Sequence, residues 1–242
     1  GERLRITSGG QVRIGNANNL ALWGQNQRLQ VAGSGSWSDS GITIACMSTT
    51  GQTPNLVFGA SRGATPGTAI NNGDRLGYIS FVGDDGTDLH TVGSAIVAGT
   101  DAAPSSNNIP GTLQFYTGSN TSTEKLRIDS SGHMGLGVTP NANWPTNGDS
   151  KALQIGTGLA VFGRGSGDED RGGIAVNYYT NGSNNYYIGN GNANRIYMND
   201  GNIDFQYAGT NSSGAGAALT FGTALRIASN GDFGFNDTSP TA

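Results

Sequence analysis

Few side chains in this chain have the types and spacing that catalysis requires. There are two histidines, His90 and His133, and one cysteine, Cys46. Cys46 lies in the apolar run 42–47, which predicts a small buried hydrophobic side chain rather than a nucleophile. His133 follows a turn glycine at a position that is Gln11 or Asp232 in similar turns, so we expect a solvated turn residue. No nucleophile–histidine arrangement follows from the spacing.

Two acidic segments are the next candidates. Residues 168–170 (Asp-Glu-Asp) could supply two carboxylates for glycoside cleavage, but the glycines around them favour a solvated loop without an aromatic floor. Residues 84–88 carry three aspartates at close spacing but lack the other positions and the distal glutamate of a calcium loop. A turn explains 84–88 equally well, and ion binding stays open for both segments. We therefore predict no enzyme, no cofactor and no metal site.

The segment 177–187, which we call the tyrosine hairpin, has the residue types of a recognition surface. Two Tyr-Tyr pairs flank an Asn/Gly/Ser turn. Period two places one ring of each pair inward, and we expect Tyr178 to continue the apolar face of Ile174–Val176, with Tyr186 also inward. Tyr179 and Tyr187 are then predicted to face outward.

Outward tyrosines beside amide side chains can stack on sugar rings and bind their hydroxyls. The predicted ligand-binding residues are therefore Tyr179, Tyr187, Asn181 and Asn184. The alternative is that these rings supply core or intersubunit packing. Trp37 and Trp144 lie in predicted loops and are weaker candidates.

The elements that must position these residues recur along the chain. A Leu-Arg-Ile triplet occurs three times, each followed by a turn glycine and an alternating apolar pair. Leu and Ile share one face of a strand while Arg points to the other, and a glycine with positive φ suits the turn of such a hairpin. The predicted core residues are Leu4, Ile6, Leu126, Ile128, Leu225 and Ile227, and the turn glycines are Gly10, Gly132 and Gly231.

Longer similarities extend this pattern into two β-cassettes. Leu29-Gln30-Val31 returns as Leu153-Gln154-Ile155, and Asp74-Arg75 returns as Asp170-Arg171. We predict a closing hairpin and linker over 1–27, cassette 1 over 28–140, a linker over 141–150, cassette 2 over 151–236 and a tail or linker over 237–242. The sequence begins inside a repeat, which indicates a piece of a longer protein.

Composition predicts an all-β chain. Glycine makes up 41 of 242 residues, and each glycine inside a helix costs about 1 kcal/mol relative to alanine. Short apolar runs between glycines predict strands at 41–47, 56–58, 78–82, 113–116 and 174–178. The net charge of −4 and the absence of a basic patch argue against nucleic acid. No apolar run approaches the roughly 18 residues of a membrane span, so membrane insertion is not expected.

Large aliphatic residues are too sparse for a self-sufficient core. Each hairpin contributes about four apolar side chains, worth about 1.5–3 kcal/mol each when fully buried, which barely offsets the entropy of ordering the strands. An isolated hairpin is marginally stable. The hairpin faces are therefore expected to be buried against the next cassette or against other chains around an axis.

Several segments together carry a resemblance to a known family. They are Gly73–Phe81, Asp84–Asp88, Gly111–Thr117 and Thr123–Pro140. They resemble bacteriophage tail-fibre repeats, which end in a Glu-x-Leu/Met-Arg-Ile-Asp-Ser-Ser-Gly-x-Val-Gly-Ile-Gly signature and often continue into a self-cleaving chaperone domain. The resemblance is strong over 73–140 and partial before 28. It is weaker over 151–236, where Thr223-Ala224 replaces Glu-Lys, and no chaperone signature is present.

The resemblance implies an elongated, β-rich homotrimeric fibre on the outside of a virion. Its partners would be copies of itself, other tail proteins and a host cell-surface receptor, for which a glycan is expected. The alternatives are a bacterial extracellular adhesin built from repeats and a tailspike that cleaves glycans.

Overall fold

The computed structural model describes residues 3–15, 21–22, 25–33, 40–47, 49–119, 121–146, 150–165, 167 and 169–236. Its described residues form an all-β structure without an α-helix, as the sequence predicts. The strands are β1 (Leu4–Ile6), β2 (Val12–Ile14), β3 (Ala21–Leu22), β4 (Gln25–Asn26), β5 (Leu29–Val31), β6 (Arg75–Val82), β7 (Val92–Thr100), β8 (Gly111–Thr117), β9 (Thr123–Ile128), β10 (Met134–Leu136), β11 (Ser150–Ile155), β12 (Leu159–Arg164), β13 (Gly172–Val176), β14 (Tyr179–Thr180), β15 (Asn185–Tyr186), β16 (Gly191–Asn199), β17 (Asn202–Asn211), β18 (Gly222–Ile227) and β19 (Phe233–Phe235).

Twelve strands form one sheet in chain order from β6 to β19, with the short β14–β15 hairpin set apart as its own pair. Neighbouring strands are antiparallel except β10 and β11, which are parallel. The predicted cassettes therefore share one sheet, except for β5 at the start of cassette 1, which lies in a separate sheet. A separate three-stranded sheet, β1-β2-β5, repeats the arrangement of β9-β10-β11, with β2 and β5 also parallel. Among the described residues, no helix has the length and apolar character needed to cross a membrane.

The three predicted hairpins pair in the same register. Leu4 faces Ile14, Leu126 faces Leu136 and Leu225 faces Phe235. The turn glycines Gly10, Gly132 and Gly231 have φ of 74°, 80° and 92°, which confirms the predicted left-handed conformation. Other residues rarely adopt this conformation, because their Cβ approaches the following carbonyl oxygen.

One face of the large sheet, which we call the apolar face, carries most of its aliphatic side chains. Residues directly opposite one another share a face, so the pairing register aligns one apolar residue from each of ten strands. From β19 to β8 these residues are Phe235, Leu225, Phe205, Ile196, Ile174, Val161, Leu153, Met134, Ile128 and Leu113. All of them are exposed or half-buried.

The opposite face, called the polar face, holds the buried core. Alanines on β11, β12, β13 and β16 leave room there for large rings, among them Trp144, Phe162 and Tyr178. Tyr179, Tyr187 and Leu219 from loops beside the sheet complete the cluster. The core thus lies between the polar face of cassette 2 and its connecting segments.

The predicted core residues are not buried within a single chain, and their burial against other chains stays a prediction. Leu4 and Ile6 are 60% and 71% exposed, and Leu126, Ile128, Leu225 and Ile227 are half-buried. These residues do share one face, and over the described residues most of that face stays exposed or half-buried, with Phe58 lying against it beside Gly77. Burial between cassettes is therefore not observed.

The predicted strands at 41–47 and 56–58 are absent. Both segments lack strand pairing and are exposed, with Met47 at 94%. Cys46 is likewise an exposed free thiol, so the prediction of a buried hydrophobe is wrong. The alternating pattern is present, but among the described residues no strand pairs with it. The strands predicted at 78–82 and 113–116 lie within β6 and β8.

Candidate functional site

The tyrosine hairpin folds over the core instead of projecting from it. Tyr179 faces Tyr186 across the β14–β15 pair, with ring centroids 5.2 Å apart. Tyr179 and Tyr187 are only 4% and 7% exposed, so the prediction that they face outward is wrong. Tyr178 is buried as predicted, whereas Tyr186 is half-buried.

The backbone at Asn177 explains this error. β13 ends at Val176, and Asn177 has a φ of 56°, so the period of two does not continue from Ile174–Val176 into the hairpin. The buried Asn177 amide fixes this break by accepting a hydrogen bond from Gly189 N at 2.8 Å and donating to nearby carbonyl oxygens. Tyr187 lies beyond the end of β15, where its hydroxyl donates to Gly209 O at 2.6 Å.

The predicted amide ligands lie at the exposed tip of the hairpin. Asn181 Oδ1 accepts hydrogen bonds from the backbone N–H groups of Ser183 and Asn184 at 3.1 and 2.8 Å, so this amide closes the turn. Asn181 Nδ2 also donates to the hydroxyl of Tyr186 at 3.3 Å. The tip therefore offers exposed amides and one half-buried ring, and its ligand binding stays a prediction.

Arg195 joins the rings of the core, a role that the sequence did not indicate. Its guanidinium carbon lies 4.2 Å from the ring centroids of Tyr197 and Phe221, and its Nε donates to Gln206 Oε1 at 2.6 Å. Burial lowers the pKa of Arg195, while burial raises the pKa of the neighbouring Tyr178. These contacts between neighbouring strands and their connecting segments are those of a packed structural cluster.

His133 is 1% exposed, so the prediction of a solvated turn residue is wrong. Its Nδ1 accepts a hydrogen bond from Ala152 N at 3.2 Å, and its Nε2 lies 3.0 Å from Pro145 O. This pattern assigns the proton of the neutral ring to Nε2. Burial is the main cause that lowers the His133 pKa. His133 thus ties the 141–146 segment to β11, with the buried Trp144 beside it.

A cavity of about 680 Å³ opens on the polar face of cassette 1. Its floor is formed by Gln114, Tyr116 and Arg127, and Arg75 and Trp144 are among its walls. The Tyr116 hydroxyl lies 3.3 Å from Gln114 Oε1, and burial is the main cause that raises its pKa. A volume of this size is typical of small-molecule sites.

Arg127 is the charged residue on the floor of this cavity, and Glu124 neutralises it. The guanidinium donates from Nε and from a terminal nitrogen to the two carboxylate oxygens, at 2.8 and 2.7 Å. This bidentate pair is the main cause that raises the pKa of Arg127. Arg127 is therefore held in place within the protein itself.

The acidic segment 84–88 forms hydrogen-bonded turns. Asp84 Oδ1 accepts from Gly86 N and Asp85 Oδ1 accepts from Thr87 N, both at 2.9 Å. In the other segment, Glu169 accepts from Gly167 N, whereas Asp168, like Trp37, lies outside the described residues. Within the part of the chain that the structure describes, no group of three or more His, Cys, Asp or Glu is placed to hold a metal ion.

Comparisons with known proteins give structural neighbours only. No protein-family model and no curated protein matches this sequence. The carboxy-terminal domain of the bacteriophage T5 L-shaped tail fibre is similar with a TM-score of 0.43 and 10% identity, over 84% of this chain and 93% of that chain. A second structure of that domain, with its intramolecular chaperone domain, gives a TM-score of 0.44 and 12% identity over 84% of this chain and 63% of that chain.

Proposed function

We propose that this chain is a structural and adhesive segment of a bacteriophage tail fibre, assembled as a homotrimer and contacting the host cell surface, with a surface glycan as the receptor. The observation that carries the proposal is the uncovered apolar face. Exposed apolar patches beyond a few hundred Å² mark interaction sites on soluble proteins, and this face aligns apolar residues from ten consecutive strands of the sheet.

A second copy of the chain is the partner that suits this face. Its aligned residues include aromatic and aliphatic side chains such as Phe205, Ile196 and Val161, which lose contact with water when like faces meet. Three such sheets around an axis cover one another and leave each polar face outward. The sequence resemblance to tail-fibre repeats supports three copies and a place on the virion beside other tail proteins.

The assembly test is light scattering on the native chain and on Leu126→Asp. Leu126 lies between Phe115 and Leu136 on the apolar face, so a carboxylate there would be buried without a partner. We expect three times the 24.7 kDa chain mass for the native protein and a smaller mass for the variant. Ser183→Asp, at an exposed turn, is the matched control and should remain trimeric.

The adhesion test is adsorption of the assembled protein to a panel of bacterial envelopes. Specific adsorption that is lost after the surface polysaccharide is removed supports a glycan receptor. A monomer that adsorbs would instead indicate an extracellular adhesin. We propose no catalytic activity, so release of reducing sugars from the polysaccharide would indicate a tailspike enzyme and contradict the proposal.

A further inference from the structure

The cavity of cassette 1 contains an arginine without a carboxylate partner. The Arg75 guanidinium carbon lies 5.2 Å from the ring centroid of Tyr78. Among the described residues, no Asp or Glu forms a salt bridge with Arg75. The other cavity arginine, Arg127, is neutralised by Glu124.

Cassette 2 shows what this arginine lacks. Ile79 faces Ile96 in cassette 1 and Ile174 faces Ile196 in cassette 2, so the strands β7 and β16 correspond with an offset of 196 − 96 = 100. Arg171, immediately before β13, corresponds to Arg75 at the start of β6, and it pairs with Asp200 at 3.3 Å. The residue of cassette 1 that corresponds to Asp200 is Thr100, which supplies no charge.

The carboxylates in the cavity wall do not replace Asp200. Asp129 Oδ1 accepts hydrogen bonds from the backbone N–H groups of Ser131 and His133 at 2.9 and 2.8 Å. Asp101 accepts from Ser130 N at 3.0 Å, and its charge contributes to raising the pKa of Arg127. The other oxygen of Asp101 is buried without a hydrogen-bond partner, but neither carboxylate forms a salt bridge with Arg75.

The remaining groups in the cavity suit a polyhydroxylated ligand. Gln114 and Asn141 offer amide groups, and Tyr116 offers a ring and a hydroxyl. One wall is held in place before any ligand binds, because Gln154 Oε1 accepts from Asn141 N at 3.0 Å and His133 bonds the same segment near Pro145. Such preorganisation lowers the entropic cost of binding.

We propose that this cavity binds a carboxylate-bearing saccharide unit, with Arg75 holding the carboxylate and the amide and phenol groups contacting the hydroxyls. An arginine binds a carboxylate through two parallel hydrogen bonds, which are stronger than neutral ones. The proposal rests on the proposed function and narrows its receptor to an acidic glycan. In the proposed trimer the cavity opens outward, on the face opposite the apolar one.

The direct test is calorimetric titration of the assembled protein with glucuronate, glucose and glucose 6-phosphate. We expect glucuronate to bind at least about tenfold more tightly than glucose, which lacks the charge. Arg75→Ala should weaken glucuronate binding by about tenfold or more, and Arg75→Lys should retain part of it because only the bidentate geometry is lost. Arg171→Ala is the matched control and should leave glucuronate binding within about twofold, since Arg171 lies outside the cavity.

Several outcomes would overturn this assignment. They are absence of binding by all three sugars, equal binding of glucose and glucuronate, preference for glucose 6-phosphate over glucuronate, and an unchanged affinity in Arg75→Ala. Adsorption separates the two proposals. If native and Arg75→Ala trimers adsorb to cells equally, the cavity assignment fails while the proposed function stands. If the native protein neither trimerises nor adsorbs, the proposed function fails.

Discussion

The second and third hairpins place an arginine at the same position but supply its carboxylate from different strands. Arg127 pairs with Glu124 of its own strand β9. Arg226 of β18 pairs with Asp204 of the neighbouring strand β17, through two hydrogen bonds of 2.6 Å. Both arginines are thus neutralised on the polar face by a bidentate carboxylate.

The strand register shows that the carboxylate stands at different corresponding positions in the two cassettes, and that each cassette has a neutral residue where the other has its carboxylate. Gln114 faces Arg127 in cassette 1, and Asp204 faces Arg226 in cassette 2. Two residues further along β8 and β17, beyond a register shift found in both cassettes, Tyr116 faces Glu124 in cassette 1, whereas Gln206 faces Thr223 in cassette 2. The structural requirement is therefore one carboxylate per arginine, and either strand can meet it.

The largest effect is expected from Asp204→Asn. Asp204 is 2% exposed, so the variant replaces a buried carboxylate and its charge-assisted hydrogen bonds to Arg226, whose own side chain is 21% exposed, at a cost of about 2–3 kcal/mol in the free energy of unfolding. Glu124→Gln should cost about 1 kcal/mol, because the Glu124–Arg127 pair is partly solvated. Urea unfolding at one fixed protein concentration measures both. Equal costs for the two variants would contradict the comparison.

Moving the carboxylate should restore part of the loss. Asp204→Gln combined with Thr223→Glu reproduces the cassette 1 arrangement in cassette 2, and we expect it to recover about 1–2 kcal/mol relative to Asp204→Gln alone. Thr223→Glu by itself is the control. It places a second carboxylate near Asp204 and should give no gain. A double variant no more stable than Asp204→Gln would show that strand position matters after all.

The turn glycines should respond alike in both hairpins. Gly132 and Gly231 have φ of 80° and 92°, and a Cβ at Gly132 would lie 3.6 Å from the nearest atoms, those of Lys151, with none within 4 Å at Gly231. Strain in the left-handed region is thus the main penalty, and either glycine changed to alanine should cost about 1–2 kcal/mol. Thermal unfolding measures this cost, and Ser131→Ala, with an expected change below about 0.5 kcal/mol, is the control. A cost for Gly132→Ala no larger than that of Ser131→Ala would contradict the hairpin turn.

Local patterns in the sequence predicted the all-β class, the three hairpins and their turn glycines, because these depend on alternation and turn chemistry over about ten residues. The prediction that Tyr179 and Tyr187 face outward failed because one residue with a left-handed backbone, Asn177, breaks the alternation of side chains. The prediction that Cys46 is buried failed because an apolar alternating segment forms a buried strand only where a partner strand pairs with it. The lack of a carboxylate partner for Arg75 follows from aligning Thr100 with Asp200. The sequence alone does not give this alignment, because it depends on the strand register.

The smallest expected effect is on how stability depends on pH. It concerns the turn position at which the three hairpins differ, which is occupied by Gln11, His133 and Asp232. Burial holds the pKa of His133 below the ordinary value of 6.5, with Lys151 lowering it further and Asp129 opposing the shift. The unfolded chain therefore binds a proton as the pH falls through 6.5 while the folded chain does not, so stability decreases with falling pH until the folded pKa is passed. His133→Gln removes this dependence. The fall in melting temperature between about pH 7.5 and about pH 5.5 should be smaller in the variant by about 1–2 °C, and equal falls in both proteins would mean that His133 is protonated in the folded state.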